Sequence, residues 1–154
     1  MMTHAEENYK CPFCRISKGI EDQLVITTQS DIVFQNEIVT AFIASHWWPN
    51  NPGHVLTIPN QHFENLYTLP DEASAEIHRL EKKIALALKA IYNCDGTSSR
   101  QHNEPAGGQD VFHYHLHVFP RYKNDDLYQL DSRQTTEVER APYAKKIRRY
   151  LEGK

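Results

Sequence analysis

The stretch HYHLHVF, residues 113–119, alternates histidines with apolar and aromatic residues, which is the pattern of a half-buried strand. Alternate side chains of a strand share a face, so His113, His115 and His117 are predicted to point one way and the residues between them into the core. Same-face neighbours lie about 6.5–7 Å apart along a strand, and imidazoles at that spacing can hold a phosphate group. The alternative is a solvated, tag-like metal-binding row, but a tag would not interleave its histidines with Tyr, Leu and Val.

Imidazole can act both as a nucleophile and as a proton donor in such a row. A pKa near about 6.5 leaves the ring partly neutral, and therefore nucleophilic, at physiological pH. A neighbouring imidazole can stay protonated and stabilise charge or feed a proton to a leaving group. The row therefore predicts chemistry on an anionic substrate.

Strands are predicted for four short runs bounded by turn residues: 32–34, 39–43, 55–58 and 111–119. Pro120 is expected to end the last run, since proline cannot donate to the ladder. The pair Asn36-Glu37 predicts a tight hairpin between the first two runs. Residues 47–53 are too rich in turn formers for regular structure, and residues 98–109 are predicted to form a polar loop.

Two helices complete the predicted elements. The first begins at Pro70 with acidic residues in its first turn, carries apolar residues at threes and fours from Ile77 to Ile91, and is closed by Gly96. The second runs from Pro142 to Leu151. Strands joined by hairpins, with one long helix before the last strand, favour an α+β domain whose antiparallel sheet is covered by a helix on one side.

Composition is that of an ordinary globular protein with a single domain, residues 1–154. A net charge of −3 provides no overall field for nucleic acid or an anionic membrane, so neither is expected as a partner. No apolar run approaches the roughly 18 residues of a membrane span. The polar start lacks the apolar core of a secretory signal, and the three cysteines do not resemble a disulfide framework. We therefore expect a cytoplasmic protein.

The loop before the histidine row contains Gly107-Gly108. Glycines let backbone N–H groups approach an anion closely. Asn103, Gln109 and Asp110 are therefore candidates to bind ribose or phosphate oxygens.

The pair in Cys11-Pro12-Phe13-Cys14 fits two kinds of site. As C-P-x-C it is similar to a thiol redox centre, which needs a strand before it and a helix that opens at the first cysteine. Only ten polar residues precede Cys11, so that context is missing. The pair then serves better as a metal knuckle, which supplies two thiolates and needs two more ligands.

These motifs together resemble the histidine-triad family. Residues 108–121, GQDVFHYHLHVFPR, are similar to the family's alternating histidines preceded by a Gly-Gln pair. Residues 53–59, GHVLTIP, resemble its glycine-histidine strand that ends in Ile-Pro, and residues 62–66 resemble the segment after it. The resemblance runs from Cys11 to about Arg121, which leaves residues 122–154 as a C-terminal extension with a helix.

The resemblance implies an activity and residue roles. His115 matches the nucleophile that attacks an α-phosphorus and forms a nucleotidyl-histidine intermediate, which water then hydrolyses. His117 matches the residue that contacts the α-phosphate, and Gln109 one near the scissile bridge. The expected activity is hydrolysis of a dinucleoside polyphosphate or nucleoside phosphoramidate. The alternatives are a nucleotidyl transferase or phosphorylase, or a nucleotide- or partner-binding module.

The resemblance also implies a fold, an assembly and a metal. The family fold is an antiparallel sheet of about five strands with one long helix, usually in a homodimer. Members that keep the cysteine pair complete a structural zinc site with two histidines. By position these are His62 and His113, which gives a Cys₂His₂ set with Cys11 and Cys14.

The chain departs from the family pattern at the ribose. Many relatives carry an Asp after the Ala-Phe strand, whereas Ala44-Ser45-His46 follows it here. Either Ser45 or His46 could bind the ribose instead. The insert Trp47-Trp48 could wall the base pocket or pack the sheet edge. The family's polar residue in the loop before Gln109 corresponds to His102 or Asn103, with Asn103 favoured.

Overall fold

The computed structural model describes residues 3–154. Its elements in chain order are α1 (Pro12–Ser17), β1 (Ile32–Gln35), β2 (Val39–Ile43), β3 (His46–Trp47), β4 (Val55–Pro59), α2 (Asp71–Tyr92), β5 (Gly96–Gln101), β6 (Leu116–Arg121), β7 (Arg133–Gln134) and α3 (Glu137–Leu151). Five strands form one antiparallel sheet in the order β1-β2-β4-β6-β5, and β3 pairs with β7 in a small second sheet. The predicted α+β fold with about five strands is confirmed. No helix of residues 3–154 is long and apolar enough to cross a membrane.

One face of the sheet packs against helices α2 and α3, and the other face lines a cleft. Ile43, Val55 and Val118 are register neighbours on β2, β4 and β6, and all three are fully buried. The residues between them in each strand point to the opposite face, because side chains alternate along a strand. That opposite face positions the functional site.

Helix α2 begins as predicted and ends earlier. Asp71 and Glu72 occupy its first turn, after Pro70 as the N-cap. Asn93, in the left-handed conformation with φ 50°, terminates the helix after Tyr92. The prediction that Gly96 closes the helix is wrong, since Gly96 is the first residue of β5.

Strand β5 lies in the segment for which a loop was predicted. Its sequence, GTSSRQ, contains no apolar residue, so no hydrophobic alternation marks it as a strand. As the last strand in the sheet order, it pairs only with β6. An edge strand needs less apolar surface than a central one, which is why a polar sequence can occupy this place.

Strand β6 is shorter at its start and longer at its end than predicted. Its ladders with β4 and β5 begin at Leu116, so residues 111–115 precede the strand. At the other end the strand continues through Pro120, which pairs with Thr97. Strand β4 reaches only Val118, so Pro120 has a partner strand on one side alone. Such a position tolerates a residue without an N–H.

Helix α3 begins five residues before the predicted start at Pro142. Thr136 and Glu139 form a capping box, a start signal that outweighs the proline. A buried ion pair joins the helix to the turn before β1, with Arg140 Nη2 2.9 Å from Asp31 Oδ2.

The prediction of irregular structure for residues 47–53 is wrong at Trp47, which belongs to β3. Its indole N–H donates to the Ala44 carbonyl at 2.7 Å, and its ring packs edge-on against Tyr143. Trp47 therefore packs the edge of the fold and does not line the cleft.

Candidate functional site

A cleft of about 390 Å³ lies on the sheet face opposite helices α2 and α3, within the size range of small-molecule sites. One half is apolar and formed by α1, the segment before β1, and the sheet. The other half is polar. The apolar side chains include Phe13, Ile16, Leu24, Val25, Ile26, Phe42 and Leu56, and the polar ones Ser45, His46, His54, Arg100, Asp110, His115 and His117.

Four lining residues form a single row across the sheet. Phe42 pairs with Leu56, Leu56 with His117, and His117 with Arg100. Neighbouring strands lie about 4.8 Å apart, so the row spans about 15 Å. Along it the surface changes from apolar to cationic, and His117 lies between the two ends.

His115 presents one ring nitrogen to the cleft. Its Nδ1–H donates to the His113 carbonyl at 2.7 Å, which leaves the Nε2 lone pair free. The Phe13 ring packs edge-on against the imidazole at 5.2 Å, and the side chain is only 3% exposed. Burial lowers the pKa of His115 from its ordinary value. The ring is therefore neutral, oriented and nucleophilic at physiological pH.

His117 is hydrogen-bonded to His54, whose Nε2 lies 3.3 Å from His117 Nδ1. Burial lowers the pKa of His54 to about 3 and that of His117 well below its usual range, so both rings are neutral. His54 Nδ1 is buried and has no hydrogen-bond partner in the described part of the chain, residues 3–154. A buried lone pair without a partner costs less than a buried N–H without one, so Nδ1 of His54 is the unprotonated nitrogen. The proton of His54 is then on Nε2, which donates to His117 Nδ1. His117 then carries its own proton on Nε2 and can donate to a substrate oxygen.

Cys11, Cys14, His62 and His113 come together in a separate cluster, as predicted. Their ligand atoms all lie within 4.8 Å of one another. Cys11 Sγ is 3.3 Å from His113 Nδ1, and Cys14 Sγ is 3.4 Å from His62 Nδ1. Tetrahedral zinc with its usual bond lengths places sulfur and nitrogen ligands about 3.5 Å apart. The four residues form a site suited to zinc, with no position left for water.

The second ring nitrogen of His113 supports this assignment. Its Nε2–H donates to the Pro59 carbonyl at 2.9 Å, which fixes the tautomer whose Nδ1 lone pair faces the two sulfurs. Burial lowers the pKa of His113 to about 4, and burial also lowers that of His62, so both imidazoles are neutral as metal binding requires.

Asp110 and Ser45 line the cleft, and their part in nucleotide binding stays a prediction. Asp110 Oδ1 is 3.8 Å from His115 Nε2, and its side chain is 85% exposed at the mouth. Ser45 Oγ lies 3.1 Å from His46 Nδ1, so the two candidates for the ribose are adjacent. The Ser45 hydroxyl and the His46 ring both carry groups able to form hydrogen bonds.

Gln109 and Asn103 do not line the cleft. The Gln109 amide donates to the Glu64 and Val111 carbonyls, and its oxygen accepts from Glu104 N–H at 2.7 Å. The Asn103 oxygen accepts from Leu66 N–H at 2.8 Å. Both side chains hold loops together.

The predicted anion-binding role of the glycine loop is also unsupported. The N–H groups of Gly107 and Gly108 donate at 3.0 Å to the carbonyls of Glu104 and Pro105. These donors are therefore committed to the turn. His102, the other candidate in the loop, donates from its ring Nδ1 to the Gly107 carbonyl.

Sequence reasoning missed Arg100 and left the roles of Trp48 and His54 open. Arg100 lies in the polar strand β5, and its place beside His117 follows from a register that the sequence alone does not reveal. Trp48 lines the cleft, and the Arg100 guanidinium lies over its ring; its neighbour Trp47 does not line the cleft. The one signal available was the glycine-histidine step at residues 53–54, which marks His54.

Comparison with known proteins identifies relatives over most of the chain. The family model of the HIT domain matches residues 26–124. The protein named "Protein hit" of Bacillus subtilis (strain 168) is 35% identical over 123 residues, which cover 80% of this chain and 77% of that protein. Two solved structures are also similar. A zinc-bound histidine triad family protein from Mycobacterium smegmatis is 26% identical with a TM-score of 0.76, over 94% of each chain. A hypothetical histidine triad nucleotide-binding protein from Sulfolobus tokodaii strain 7 is 26% identical with a TM-score of 0.74, over 93% of each chain.

Proposed function

The chain belongs to the HIT family, in its zinc-binding branch, and we propose that it hydrolyses nucleotides at the α-phosphate with His115 as the nucleophile. One observation carries the proposal: His115 Nδ1–H is bound to the His113 carbonyl, so Nε2 faces the cleft with a free lone pair. The similar protein from Sulfolobus tokodaii, described as nucleotide-binding, supports the choice of substrate.

The two halves of the cleft match the two halves of a nucleotide. The apolar half around Phe42 and Leu56 suits a nucleobase, and the neutral imidazoles of His115 and His117 suit a phosphate. Ser45 and His46 follow strand β2 closely in the chain and line the same cleft. Their side chains can accept hydrogen bonds from ribose hydroxyls or donate hydrogen bonds to them. They provide polar groups where relatives have an Asp.

The reaction proceeds in two displacements at phosphorus. The Nε2 lone pair of His115 forms a bond to the α-phosphorus, and the bond from phosphorus to the leaving group breaks with its electron pair on that group. Water then attacks the phosphorus, the N–P bond breaks with its electron pair returning to Nε2, and the water proton goes to solvent. The His113 carbonyl accepts from Nδ1–H throughout and stabilises the positive charge that the ring acquires. His117 Nε2–H donates to a phosphate oxygen.

The metal cluster supports this chemistry from outside the cleft. When bound, zinc supplies a cross-link between α1, the segment after β4, and the residue before Tyr114. Cys11, Cys14 and His62 would hold it together with His113. The carbonyl of His113 is the one that orients His115, so fixing this residue fixes the nucleophile.

Trapping the intermediate tests the mechanism. Rapid quenching with an adenosine dinucleotide substrate, followed by peptide mapping, should place an AMP adduct on His115. The His117→Asn variant should still form an adduct at the same residue, more slowly. An adduct on another residue, or turnover with no adduct at His115 at any time point, contradicts the mechanism.

Transfer to an acceptor other than water is the second candidate. The exposed Asp110 marks an open mouth beside His115, through which an acceptor such as inorganic phosphate or a sugar phosphate could enter. Product analysis in the presence of each acceptor separates the two: a hydrolase gives only the nucleoside monophosphate, and a transferase gives the acceptor's nucleotidyl derivative.

We also expect a homodimer, which the family resemblance implies. The outer edge of β5 pairs with no strand among residues 3–154, and the short 3-10 helix Leu66–Thr68 carries the exposed apolar side chains of Leu66 and Tyr67. An open edge strand is a common place for chains to associate. Light scattering coupled to size exclusion should give twice the mass of the chain.

A further inference from the structure

Arg100 is held at the polar end of the cleft by three aromatic rings. Its guanidinium carbon lies 5.1 Å from the centroid of Trp48, 5.6 Å from Phe119 and 4.6 Å from Tyr128. Guanidinium groups bind well to aromatic faces, which restrict their motion without neutralising their charge. The three rings therefore form an aromatic cage that orients a cation.

The charge of Arg100 is not neutralised by the protein. The arginines of residues 3–154 that pair with carboxylates are Arg15, Arg79, Arg121, Arg133 and Arg140, and Arg100 is absent from that set. Its Nε is buried and has no hydrogen-bond partner among residues 3–154. A buried donor without a partner is costly, so such a group in a cleft points to a ligand that completes it.

The loop that carries Tyr128 adopts a strained backbone to complete the cage. Tyr128 has φ 73°, and Asn124 and Asp126 in the same loop have φ 61° and 50°. Positive φ is unusual for an aromatic residue and persists only where the surroundings impose it. The loop is fixed by Asp125, whose carboxylate accepts from Arg121 Nε at 2.7 Å. The strain thus serves to place Tyr128 over Arg100.

Arg100 occupies the end of the row across the sheet. With the base on Phe42 and Leu56, and the α-phosphate at His117, the next group of the substrate lies beside Arg100. We propose that Arg100 binds the leaving group's phosphate, and that the substrates are therefore nucleotides joined through a phosphoanhydride rather than phosphoramidates. This inference rests on the proposed function and names its substrate class.

The chemistry of the two leaving groups supports this assignment. When an anhydride is cleaved, the electron pair of the broken P–O bond stays on the bridging oxygen, and the group departs as a phosphate anion that needs charge compensation. An amine leaving group must instead receive a proton. Arg100 cannot supply one, because a guanidinium does not deprotonate in proteins. It can donate two parallel N–H bonds to phosphate oxygens.

The test compares two substrates with the same adenylyl group. Diadenosine triphosphate has an anhydride leaving group, and adenosine 5′-phosphoramidate has an amine. Arg100→Met should lower kcat/KM for the anhydride by about 100-fold, the loss typical when one charge-stabilising donor is removed. The phosphoramidate should change less than about threefold. Arg79→Met, which removes an exposed guanidinium on α2, is the matched control and should change neither.

A more conservative change guards against a folding defect. Arg100→Lys keeps the positive charge but loses the two parallel N–H donors. It should lower the ratio of kcat/KM for the anhydride to kcat/KM for the phosphoramidate by less than Arg100→Met does, and its melting temperature should be unchanged. An equal loss on both substrates, or no loss on the anhydride, overturns the inference while leaving His115 chemistry intact.

Binding without turnover separates this inference from the proposed function. The wild-type chain should bind α,β-methylene-ADP, which cannot be cleaved at its bridge, more tightly than AMP. Arg100→Met should reduce that preference by about 10-fold or more, as expected for a lost hydrogen bond to a charged group. If wild-type protein cleaves neither substrate but shows this change, the hydrolase proposal fails and the phosphate site stands. An unchanged preference overturns the phosphate site.

Discussion

The histidines at 113 and 117 are four residues apart, yet they belong to two clusters with opposite environments. In the metal cluster, His113 directs Nε2–H to the Pro59 carbonyl and Nδ1 to Cys11, so both ring nitrogens face protein groups. In the cleft, His117 uses one nitrogen for His54 and leaves the other free. The first cluster is closed and suited to structure, whereas the second is open and suited to chemistry on a ligand.

Histidines that repeat along one segment need not share one role. The strand pattern of residues 113–119 predicts three equivalent imidazoles, but the strand begins only at Leu116. Before that point Tyr114 N–H donates to the Phe63 carbonyl at 2.6 Å, outside the ladder. His113 and His115 therefore take their orientation from their own partners, whereas His117 lies within the strand and takes its orientation from strand alternation.

Replacing the nucleophile should give the largest effect. His115→Asn should lower kcat/KM by at least about 1,000-fold, because removal of a covalent nucleophile abolishes the two-step route. Zinc content and melting temperature should stay at wild-type values, since His115 contacts the metal cluster only through a carbonyl. Steady-state kinetics and elemental analysis measure both.

The control for that variant is His78→Asn, which changes an exposed histidine on α2 whose only side-chain partner is Glu81. It should retain full activity. If His115→Asn loses no more than the control, the cleft is not a catalytic site of this kind.

Loss of a metal ligand should lower the stability of the fold more than a substitution in the cleft does. Cys14→Ala should abolish the expected one zinc per chain and lower the melting temperature by about 5–15 °C, because a structural zinc site contributes several kcal/mol and about 1 kcal/mol shifts a chain of this size by 2–4 °C. Thermal unfolding with and without a chelator measures it.

The remaining cysteine provides the matched control. Cys94 is buried and lies outside the cluster, so Cys94→Ala should keep the metal. Full zinc content in Cys14→Ala would show that the four residues are not the ligands.

Removing the partner of His117 should have a smaller effect, confined to the cleft. His54→Phe loses the N–H that holds the tautomer of His117, and should lower kcat/KM by about 10-fold, the cost of one neutral hydrogen bond. His54→Gln can still donate to His117 Nδ1 and should recover most of that loss. Equal losses in both variants would mean that His54 acts through packing alone.

The two clusters also differ in how far sequence reasoning could predict them. Only the cysteine pair of the metal set is a local pattern. The family resemblance supplied His62 and His113, and the four residues do converge. Helix α2 was equally accessible because its apolar residues recur at helical spacing. The role of His115 stays a prediction until an adduct is mapped.

The cleft depends on long-range register, which single-sequence patterns do not contain. Arg100 lies beside His117 only because β5 pairs with β6, and β5 has no apolar residue to reveal it. Gln109 lies next to the motif in sequence, but its amide is bonded to backbone groups and does not line the cleft, so its catalytic role stays a prediction. Proximity in sequence pointed to Gln109 and gave no sign of Arg100.

Phe13 joins the two clusters and offers the finest test of how separate they are. It lies between the two cysteines in sequence, and its ring packs edge-on against His113 at 5.9 Å and His115 at 5.2 Å. Phe13→Leu keeps an apolar side chain but removes both edge-to-face contacts, each of which contributes about 0.5–1.5 kcal/mol. We expect full zinc content and a kcat lowered about 3- to 10-fold, because the ring positions the nucleophile without binding metal. A loss of zinc without a change in kcat would mean that Phe13 serves only the metal cluster, and an unchanged variant would mean that the clusters are independent.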